Sequence, residues 1–150
     1  MTAGHCARDA GWKLTIDDQV VKVLARSDED VDLAVIQGPA RPRLKWRSYP
    51  ARRGEVMLSV GHALALEQFV VGLALAAHPY LIVFDDQLTP KATFYGNAIP
   101  GMSGGPIVDS RYRVSSVVQA GGYASEILQD IMCGAEFIEL YKFTRDYWDY

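Results

Sequence analysis

The stretch GMSGGP at residues 101–106 carries the strongest signal in this sequence. It surrounds one serine, Ser103, with glycines and ends on a proline. A serine hydroxyl is a weak nucleophile unless a neighbouring base takes its proton, and acyl transfer also needs backbone N–H groups that face the developing oxyanion. Glycine allows the backbone angles that turn successive N–H groups toward one point, and it leaves room for a substrate carbonyl. On its own, the stretch indicates either a nucleophilic serine or an ordinary glycine-rich turn.

Two motifs upstream of this stretch contain a histidine and an aspartate. His5 lies in TAGHC at residues 2–6, and Asp32 lies in DVDLAVI at residues 30–36, where it begins an apolar run. Each has an ordinary structural interpretation, since a single histidine beside small residues is more often structural and aspartate is common where a strand begins. Asp30 is a second acidic candidate, but only Asp32 is followed directly by leucine and alanine.

Together, the three motifs resemble those of the trypsin-like serine proteases. The histidine lies in Thr-Ala-x-His-Cys, the aspartate in Asp-x-Ala and the serine in Gly-x-Ser-Gly-Gly-Pro, in the order His, Asp, Ser. That order is informative because unrelated hydrolase folds use other orders. The compact spacing is closer to the Deg/Htr-type proteases and the viral or phage trypsin-like peptidases than to the digestive trypsins. The resemblance extends from about residue 2 to about residue 122.

The resemblance implies a role for each matching residue. Ser103 would be the nucleophile, and His5 would take its proton as general base and return it to the leaving amine as general acid. Asp32 would hold the imidazole in one tautomer and stabilise its charged form. The backbone N–H groups of Gly101 and Ser103 would form the oxyanion hole. Met102 lies where trypsins activated by N-terminal cleavage often carry aspartate, so we expect activity without an activating cut.

The resemblance also gives an approximate position for the pocket that holds the substrate side chain. Its base would lie near Asn97 and Ala98, and one wall would lie on the strand that contains Val118 and Gln119. None of these residues is acidic. We therefore expect a preference for small or apolar substrate side chains rather than for Arg or Lys.

Short apolar runs that alternate with turn residues predict an all-β fold. The predicted strands cover residues 13–16, 20–26, 33–36, 56–60, 69–76, 81–84, 92–95, 106–108 and 114–119. Many short strands at such spacing indicate a barrel or a sandwich. The tail differs, because Ile127, Leu128, Ile131 and Met132 recur at helical spacing and residues 137–141 do so again, which predicts one or two helices.

With the resemblance, this pattern implies a double β-barrel of the trypsin-like type in a single domain. Residues 1–40 would form the N-terminal barrel, 41–54 the connection, 55–122 the C-terminal barrel and 123–150 a helical tail. The family builds several strands before its histidine motif, whereas here the histidine is residue 5. We therefore expect an incomplete first barrel, whose exposed strand edges would favour pairing with a partner or self-association.

Composition and charge disfavour several other functions. The chain has 150 residues, of which 49% are apolar, and a net charge of −3. No basic stripe is present, and residues 41–53, the most basic stretch, are interpreted as a solvated loop, so nucleic-acid binding is disfavoured. The most apolar stretch, 56–84, is interrupted by glycine, proline, histidine and glutamate, which argues against a membrane span. No secretory signal is recognisable, which favours a cytoplasmic or viral setting without fixing the compartment.

The remaining histidines and the cysteines do not form the pattern of a metal site. His62 and His78 have no Cys or His neighbour at metal-ligand spacing, and both are interpreted as structural or solvent-facing. We therefore expect neither a metal nor another cofactor. A disulfide between Cys6 and Cys133 stays open, because the sequence supplies no distance between them.

Three functions remain to be weighed. A serine endopeptidase acting on a protein or peptide substrate fits the complete set of His5, Asp32 and Ser103. A catalytically inactive binding or structural protein of the same fold, or a fragment that needs further N-terminal strands, is the alternative that the short first barrel leaves open. A serine esterase with a Gly-x-Ser-x-Gly nucleophile elbow is disfavoured, because its histidine would follow the serine and no histidine follows Ser103.

Overall fold

The computed structural model describes residues 1–8, 14–38, 43–65, 68–77, 80–84, 87–121 and 131–147. Within these ranges the chain is mostly β-structure, with an α-helix near its end. Several sequence predictions fall partly or wholly outside them. These are the first residue of the strand predicted at 13–16, residues 41–42 of the predicted connection, the interpretation of His78, and residues 123–130 and 148–150 of the predicted tail, which include Ile127 and Leu128.

The first half of the chain forms a small sheet and a separate hairpin. Their strands are β1 (Thr2–Ala3), β2 (Thr15–Ile16), β3 (Gln19–Val20), β4 (Val23–Arg26) and β5 (Leu33–Ile36). The sheet has the order β1-β5-β4 with antiparallel neighbours, and β2 pairs with β3. Asp17 and Asp18, between β2 and β3, have positive φ angles of 50° and 62°, as tight two-residue hairpin turns require. Residues 33–35 of the central strand β5 are all buried, which accounts for their unbroken apolar run.

The second half forms a closed antiparallel barrel. Its strands are β6 (Val56–Gly61), β7 (Val70–Ala76), β8 (Tyr80–Phe84), β9 (Gln87–Tyr95), β10 (Pro106–Val108), β11 (Val114–Gly121) and β12 (Ile131–Gly134). In the described part of the chain, six of them close the barrel in the order β6-β7-β9-β12-β11-β10, with β10 pairing back on β6. β8 pairs with the first half of β9 and lies outside this cycle. Closure gives each of the six strands a partner on both sides.

The barrel interior is an apolar core. Its buried residues are Met57, Ala63, Ala74, Ala76, Phe94, Met102, Ile107, Val118 and Met132. Successive residues of a strand face opposite sides of the sheet. On β7, Ala74 and Ala76 are therefore buried while Leu73 and Leu75 are exposed. Because Met102 belongs to this core, the loop that carries Ser103 is attached to the barrel interior.

The helix α1 (Phe137–Thr144) packs where the two halves meet. Its residue Leu140 is buried in a second apolar cluster with Leu33, Val117 and Ala135. This cluster joins β5 of the first sheet to β11 of the barrel, so α1 helps to hold the two halves together. The helix predicted around residues 137–141 is confirmed.

The helical interpretation of Ile131 and Met132 is wrong. Both residues lie in strand β12, where they pair with Tyr95 and Phe94 of β9, and β12 also pairs with β11. Closure of the barrel requires a strand at this position. Its hydrogen bonds to two neighbouring strands override a helical spacing that rests on four residues.

A buried arginine fixes the connection between the two halves. Arg47 is only 1% exposed, and its guanidinium forms a fork with the Glu55 carboxylate at 2.8 Å and 3.1 Å. It also lies over the ring of Tyr49, 4.3 Å from the centroid, and 3.8 Å from the carboxylate of Asp109. A buried charge needs such partners. The interpretation of residues 41–53 as a solvated loop is therefore wrong for Arg47.

The structure bears directly on the disulfide, the membrane span and the metal site that were considered from the sequence. Both cysteines are free, Cys6 exposed and Cys133 buried, so no disulfide joins them. None of the helices in the described ranges is long and apolar enough to span a membrane. The same ranges contain no group of three or more His, Cys, Asp or Glu side chains that could hold a metal ion.

Candidate active site

Two short elements hold the segment that contains His5. β1 pairs with β5, and a 3₁₀-helix follows over Gly4–Ala7. The backbone N–H of Gly4 donates to the carbonyl of Asp32 at 2.8 Å. A Cβ at Gly4 would come within 2.9 Å of both the carbonyl carbon and Oδ1 of Asp32, so this approach requires glycine. The start of the chain is therefore held against the residue that precedes β5.

His5 and Asp32 contact each other through two hydrogen bonds. The imidazole Nδ1 lies 2.7 Å from Oδ2 of Asp32, and the backbone N–H of His5 donates to Oδ1, also at 2.7 Å. The Asp32 side chain is 1% exposed and that of His5 is 39% exposed. Because an ionised carboxylate only accepts hydrogen bonds, Nδ1 carries the proton. In the neutral ring, the other nitrogen, Nε2, is then the one that can accept a proton.

These contacts change the acid–base behaviour of His5. The hydrogen bond with Asp32 raises the pKa of His5 to about 10, with a further contribution from Cys6, against the lowering effect of partial burial. The physical cause is that the imidazolium ion satisfies the buried carboxylate better than the neutral ring does. A second cation, the guanidinium of Arg8, lies 3.5 Å from Oδ1 of Asp32.

Asp32 has an unusual backbone conformation. Its φ is 53°, in the left-handed region that residues other than glycine seldom adopt. Its N–H donates to the carbonyl of Asp28 at 3.0 Å, and its own carbonyl accepts from Gly4 and from the side-chain amide of Gln119 at 2.8 Å each. Backbone strain of this kind persists only where surrounding contacts hold it, and it is concentrated at functional sites.

The loop that contains Ser103 lies against the His5 segment. Gly104 has a φ of 84°, and a Cβ at this position would collide with the hydroxyl of Thr2. The Cys6 thiol lies 3.8 Å from the carbonyl oxygen of Ser103. Among the residues that the structure describes, no hydrogen bond joins the Ser103 hydroxyl to His5. The fold therefore brings the serine and histidine motifs into contact through their neighbours.

The backbone N–H groups of the serine loop divide into two sets. Those of Met102, Gly104 and Gly105 donate to backbone carbonyls at 2.8–3.0 Å. Those of Gly101 and Ser103, the pair assigned from the sequence to an oxyanion hole, donate to no acceptor in the described part of the chain. The positive φ of Gly101, 95°, turns the backbone at this point. In the loop, the two N–H groups without a described acceptor therefore lie on either side of the hydrogen-bonded N–H of Met102.

The residues predicted to form the substrate pocket lie on two neighbouring segments. Asn97 is exposed, and Ala98 packs so closely on Gly121 of β11 that a Cβ on this glycine would lie 2.6 Å from that of Ala98. Val118 is in the barrel core, and the Gln119 amide is hydrogen-bonded to backbone carbonyls. The pocket assignment stays a prediction. The side chain of Val118 faces the barrel core, and that of Gln119 faces the carbonyls of Val31 and Asp32.

Sequence reasoning missed a buried lysine behind Asp32. Lys91 of β9 is 1% exposed, and its ammonium donates to the carbonyl of Asp30 at 2.6 Å and to Oε1 of Gln119 at 2.9 Å. The strand pattern contained a signal, because Lys91 and the buried Thr93 are two residues apart and so face the same side of the sheet. Phe94 of the same strand enters the barrel core, so Lys91 faces the opposite side, toward the first half of the chain, where a buried ammonium needs internal acceptors.

His62 agrees with its structural or solvent-facing interpretation. It is exposed just after β6, and its ring lies 4.2 Å from the ring of Phe69, centroid to centroid. The two rings are tilted by 50°. This contact is of the kind that aromatic side chains form in packing.

Solved structures with this fold include several serine proteases. The Rv3671c protease from M. tuberculosis in its inactive form aligns over 97% of this chain and 76% of its own, with a TM-score of 0.75 and 21% identity. The HtrA-type protease AlgWS227A with a tripeptide aligns over 97% and 50%, with a TM-score of 0.77 and 18% identity. The serine endoprotease from Yersinia pestis aligns over 85% and 43%, with a TM-score of 0.66 and 16% identity.

The chain spans between 43% and 76% of the length of these three structures. No protein-family model matches it, and no curated protein matches it. At identities of 16–21% the likeness establishes the fold alone. The closed six-stranded barrel, the short first sheet and the C-terminal helix give this chain the fold of the trypsin-like serine proteases of the Deg/Htr type.

Proposed function

We propose that this chain is a serine endopeptidase that hydrolyses peptide bonds through His5, Asp32 and Ser103. The observation that carries the proposal is the doubly hydrogen-bonded contact of His5 with Asp32, directly beside the Ser103 loop. A purely structural pair of histidine and aspartate would not need a glycine-rich serine loop as its neighbour. The sequence motifs and the protease fold of the solved neighbours support the same function.

In the proposed reaction, Oγ of Ser103 attacks the carbonyl carbon of the scissile bond while Nε2 of His5 takes the hydroxyl proton. The C–N bond then breaks, and His5 returns the proton to the leaving amine, which leaves an ester between Ser103 and the acyl part of the substrate. Water attacks this ester as His5 takes its proton, and the serine hydroxyl is regenerated. Asp32 holds the Nδ1–H tautomer through Oδ2 and stabilises the imidazolium in both steps.

The serine loop supports an oxyanion hole in this mechanism. The N–H groups of Gly101 and Ser103 would donate to the oxygen that becomes negative when the serine adds to the carbonyl. Because neighbouring N–H groups of the loop are anchored at 2.8–3.0 Å, these two donors would need little reorganisation as the charge develops. Removal of one such donor typically costs about 10²–10³-fold in kcat.

We propose a small or apolar side chain on the substrate residue before the scissile bond. Ala98, which packs closely on Gly121, supports this preference because its side chain is small and apolar. Neither Asn97 nor Ala98 offers a negative charge that would pair with Arg or Lys. Cleavage of a peptide library with the purified chain tests the preference, and a dominant cut after Arg or Lys would contradict it.

A catalytically inactive protein of the same fold is the second candidate. The observation in its favour is that the described residues include no hydrogen bond between the Ser103 hydroxyl and His5. Hydrogen bonds between catalytic groups often tighten only when substrate binds. The raised pKa of His5 also keeps the imidazole protonated at neutral pH in the free protein. The missing hydrogen bond is therefore compatible with an enzyme before substrate binds, whereas the protonated imidazole must lose its proton before it can act as a base.

The decisive experiment is labelling of the purified chain with a fluorophosphonate probe from about pH 7 to about pH 10, with the adduct located by mass spectrometry. We expect one adduct, on Ser103. It should be absent in Ser103→Ala, and its formation should be about 10³-fold slower in His5→Ala. Ser110→Ala, which changes an exposed serine of a nearby turn, should label at the wild-type rate.

Peptide cleavage by the same proteins completes the test. Cleavage by the wild-type chain and its loss in Ser103→Ala are the expected results. A folded wild-type chain that forms no adduct over this pH range would favour the inactive protein. An adduct that persists in Ser103→Ala would show that another side chain reacts, and the proposed nucleophile would be wrong.

A further inference from the structure

A buried polar contact connects the barrel to the segment that carries Asp32. Lys91 belongs to β9 and Gln119 to β11, and the two side chains are 1% and 3% exposed. The Lys91 ammonium donates to the carbonyl of Asp30 at 2.6 Å, and the Gln119 amide donates to the carbonyls of Val31 and Asp32 at 2.6 Å and 2.8 Å. Three consecutive carbonyls of the first half are thus held by two side chains of the second half.

The orientation of the Gln119 amide follows from its partners. The Lys91 ammonium can only donate and the carbonyls can only accept, so Oε1 must face Lys91 and Nε2 must face Val31 and Asp32. Lys91 thereby fixes the amide of Gln119, and Gln119 in turn fixes the backbone at Asp32. Removing Lys91 would leave Oε1 without this donor, and the amide could then rotate away from the carbonyls.

The backbone that these side chains hold is the strained one. The φ of 53° at Asp32 is not a conformation that the residue adopts readily by itself. It directs the carboxylate toward His5 while the carbonyl of the same residue faces Gln119 and Gly4. The hydrogen bonds from the barrel therefore act at the position where the backbone is least able to hold its own geometry.

A buried lysine is a costly way to fill the space between the barrel and the first half of the chain. Two partners of its ammonium are neutral oxygens, on Asp30 and Gln119. An apolar side chain of similar volume is often as stable or more stable at such a position. The presence of Lys91 is therefore better explained by the geometry that it imposes than by its contribution to folding.

We propose that Lys91 and Gln119 are positioning residues that hold Asp32 in contact with His5. This inference rests on the proposed function and deepens it, because neither side chain contacts His5 or the serine loop in the hydrogen bonds described above. Its consequence is that the catalytic geometry of the first half depends on two residues of the barrel.

The test compares Gln119→Met and Lys91→Met with Ser116→Ala. Both methionine variants keep the side-chain length and remove the hydrogen bonds. Ser116 is a matched control, since it lies on the same strand as Gln119, is fully buried, and donates to a backbone carbonyl at 2.7 Å, that of Ala135, away from Asp32. Before any other measurement, thermal unfolding is used to check that each variant is folded.

The first readout is peptide hydrolysis. We expect kcat to fall about 10–100-fold in Gln119→Met, with KM within about twofold, because a displaced Asp32 misorients the base without removing the binding site. The kcat of the double variant should be no lower than that of the less active single variant, because Lys91 acts on Asp32 through the amide of Gln119. Ser116→Ala should keep the wild-type kcat. Multiplicative losses in the double variant, or an equal loss in Ser116→Ala, would overturn the proposal.

The second readout does not depend on activity. NMR titration of the His5 imidazole reports its contact with Asp32, whose charge is also faced by Arg8 and Lys91, while Cys6 faces the imidazole itself. In Gln119→Met, which changes no charge, the His5 midpoint should move from about 10 toward 6.5. An unchanged midpoint would overturn the proposal. A lowered midpoint in a chain that never cleaves peptides would support it and contradict only the proposed function.

A further variant covers the case in which Gln119→Met does not fold. Gln119→Asn keeps the amide and shortens the side chain by one methylene, which withdraws its N–H groups from the carbonyls of Val31 and Asp32. The same losses in kcat and in the His5 midpoint are expected from it. Wild-type values for both would overturn the proposal.

Discussion

His5 contacts the carboxylate of Asp32 twice, with its ring Nδ1 on Oδ2 and its backbone N–H on Oδ1, both at 2.7 Å. The first contact orients the imidazole and the second ties the backbone of the histidine to the same acid. One carboxylate therefore fixes both the position of the residue and the rotation of its ring. This dual role makes Asp32 more sensitive to substitution than an acid that contacts the ring alone.

Asp32→Asn should abolish most of the activity. An amide at this position favours the wrong imidazole tautomer and stabilises the imidazolium less, so we expect kcat to fall about 10³–10⁴-fold. Steady-state peptide hydrolysis measures the loss. Asp30→Asn is the matched control, because this neighbouring acid is exposed and accepts the Lys91 hydrogen bond through its backbone carbonyl, which the substitution keeps. If Asp30→Asn lost as much activity as Asp32→Asn, the assignment of the acid would be wrong.

Activity should rise with pH through and beyond neutrality. A general base must be neutral to accept a proton, and Asp32 raises the pKa of His5 to about 10. The rate constant kcat/KM should therefore increase up to about pH 10 in the wild-type chain, where an unperturbed histidine would reach its plateau above about pH 6.5. In Asp32→Asn the residual activity should reach its plateau nearer pH 6.5. A wild-type plateau already at pH 7 would contradict the strong coupling of the two residues.

Gly104→Ala should disrupt the contact between the serine loop and the start of the chain. The added Cβ would collide with the Thr2 hydroxyl and lie 3.1 Å from the backbone nitrogen of Ala3, at a φ of 84°. We expect a loss of stability of about 2–5 kcal/mol, together with loss of probe labelling at Ser103. Urea unfolding and labelling measure the two effects.

Gly54→Ala separates backbone strain from this collision. Gly54 has a similar φ of 80°, but a Cβ there would meet nothing within 4 Å. We expect Gly54→Ala to lower the free energy of unfolding by about 1–2 kcal/mol, from the left-handed backbone alone. Probe labelling of Ser103 should be unchanged. Equal stability losses in the two variants would show that the approach of the loop to Thr2 is unimportant.

Glu55→Ala should destabilise the connection between the two halves. It removes the forked partner of the buried Arg47 guanidinium and leaves Asp109, 3.8 Å away, as the remaining described carboxylate beside it. We expect a loss of about 2–3 kcal/mol in the free energy of unfolding, because a buried charge without its partner is costly. Glu139→Ala breaks the exposed pair with Lys142 and should cost no more than about 0.5 kcal/mol. Similar losses in the two would mean that Arg47 is not held by Glu55.

Much of the fold follows from short-range patterns. Each apolar run between turn residues corresponds to a strand in the structure, from Leu33–Ile36 to Val114–Gly121, because alternation and burial act over a few neighbouring residues. The strand predicted at 20–26 is divided between β3 and β4. Ile131 and Met132 are a clear exception, since their strand exists only through its pairing with β9 and β11. Local spacing contains no information about strands that lie tens of residues away.

The sequence by itself determined the glycine-rich serine loop, the three motifs with their order, and the all-β character of the chain. These features depend on residue types and on close neighbours. Asp32 was predicted as the acid, but only the tertiary structure decided how it contacts His5 and that Gln119, held by Lys91, contacts its backbone. Such contacts join residues that are far apart in the sequence, and their energy depends on burial and distance. Both quantities exist only once the chain has folded.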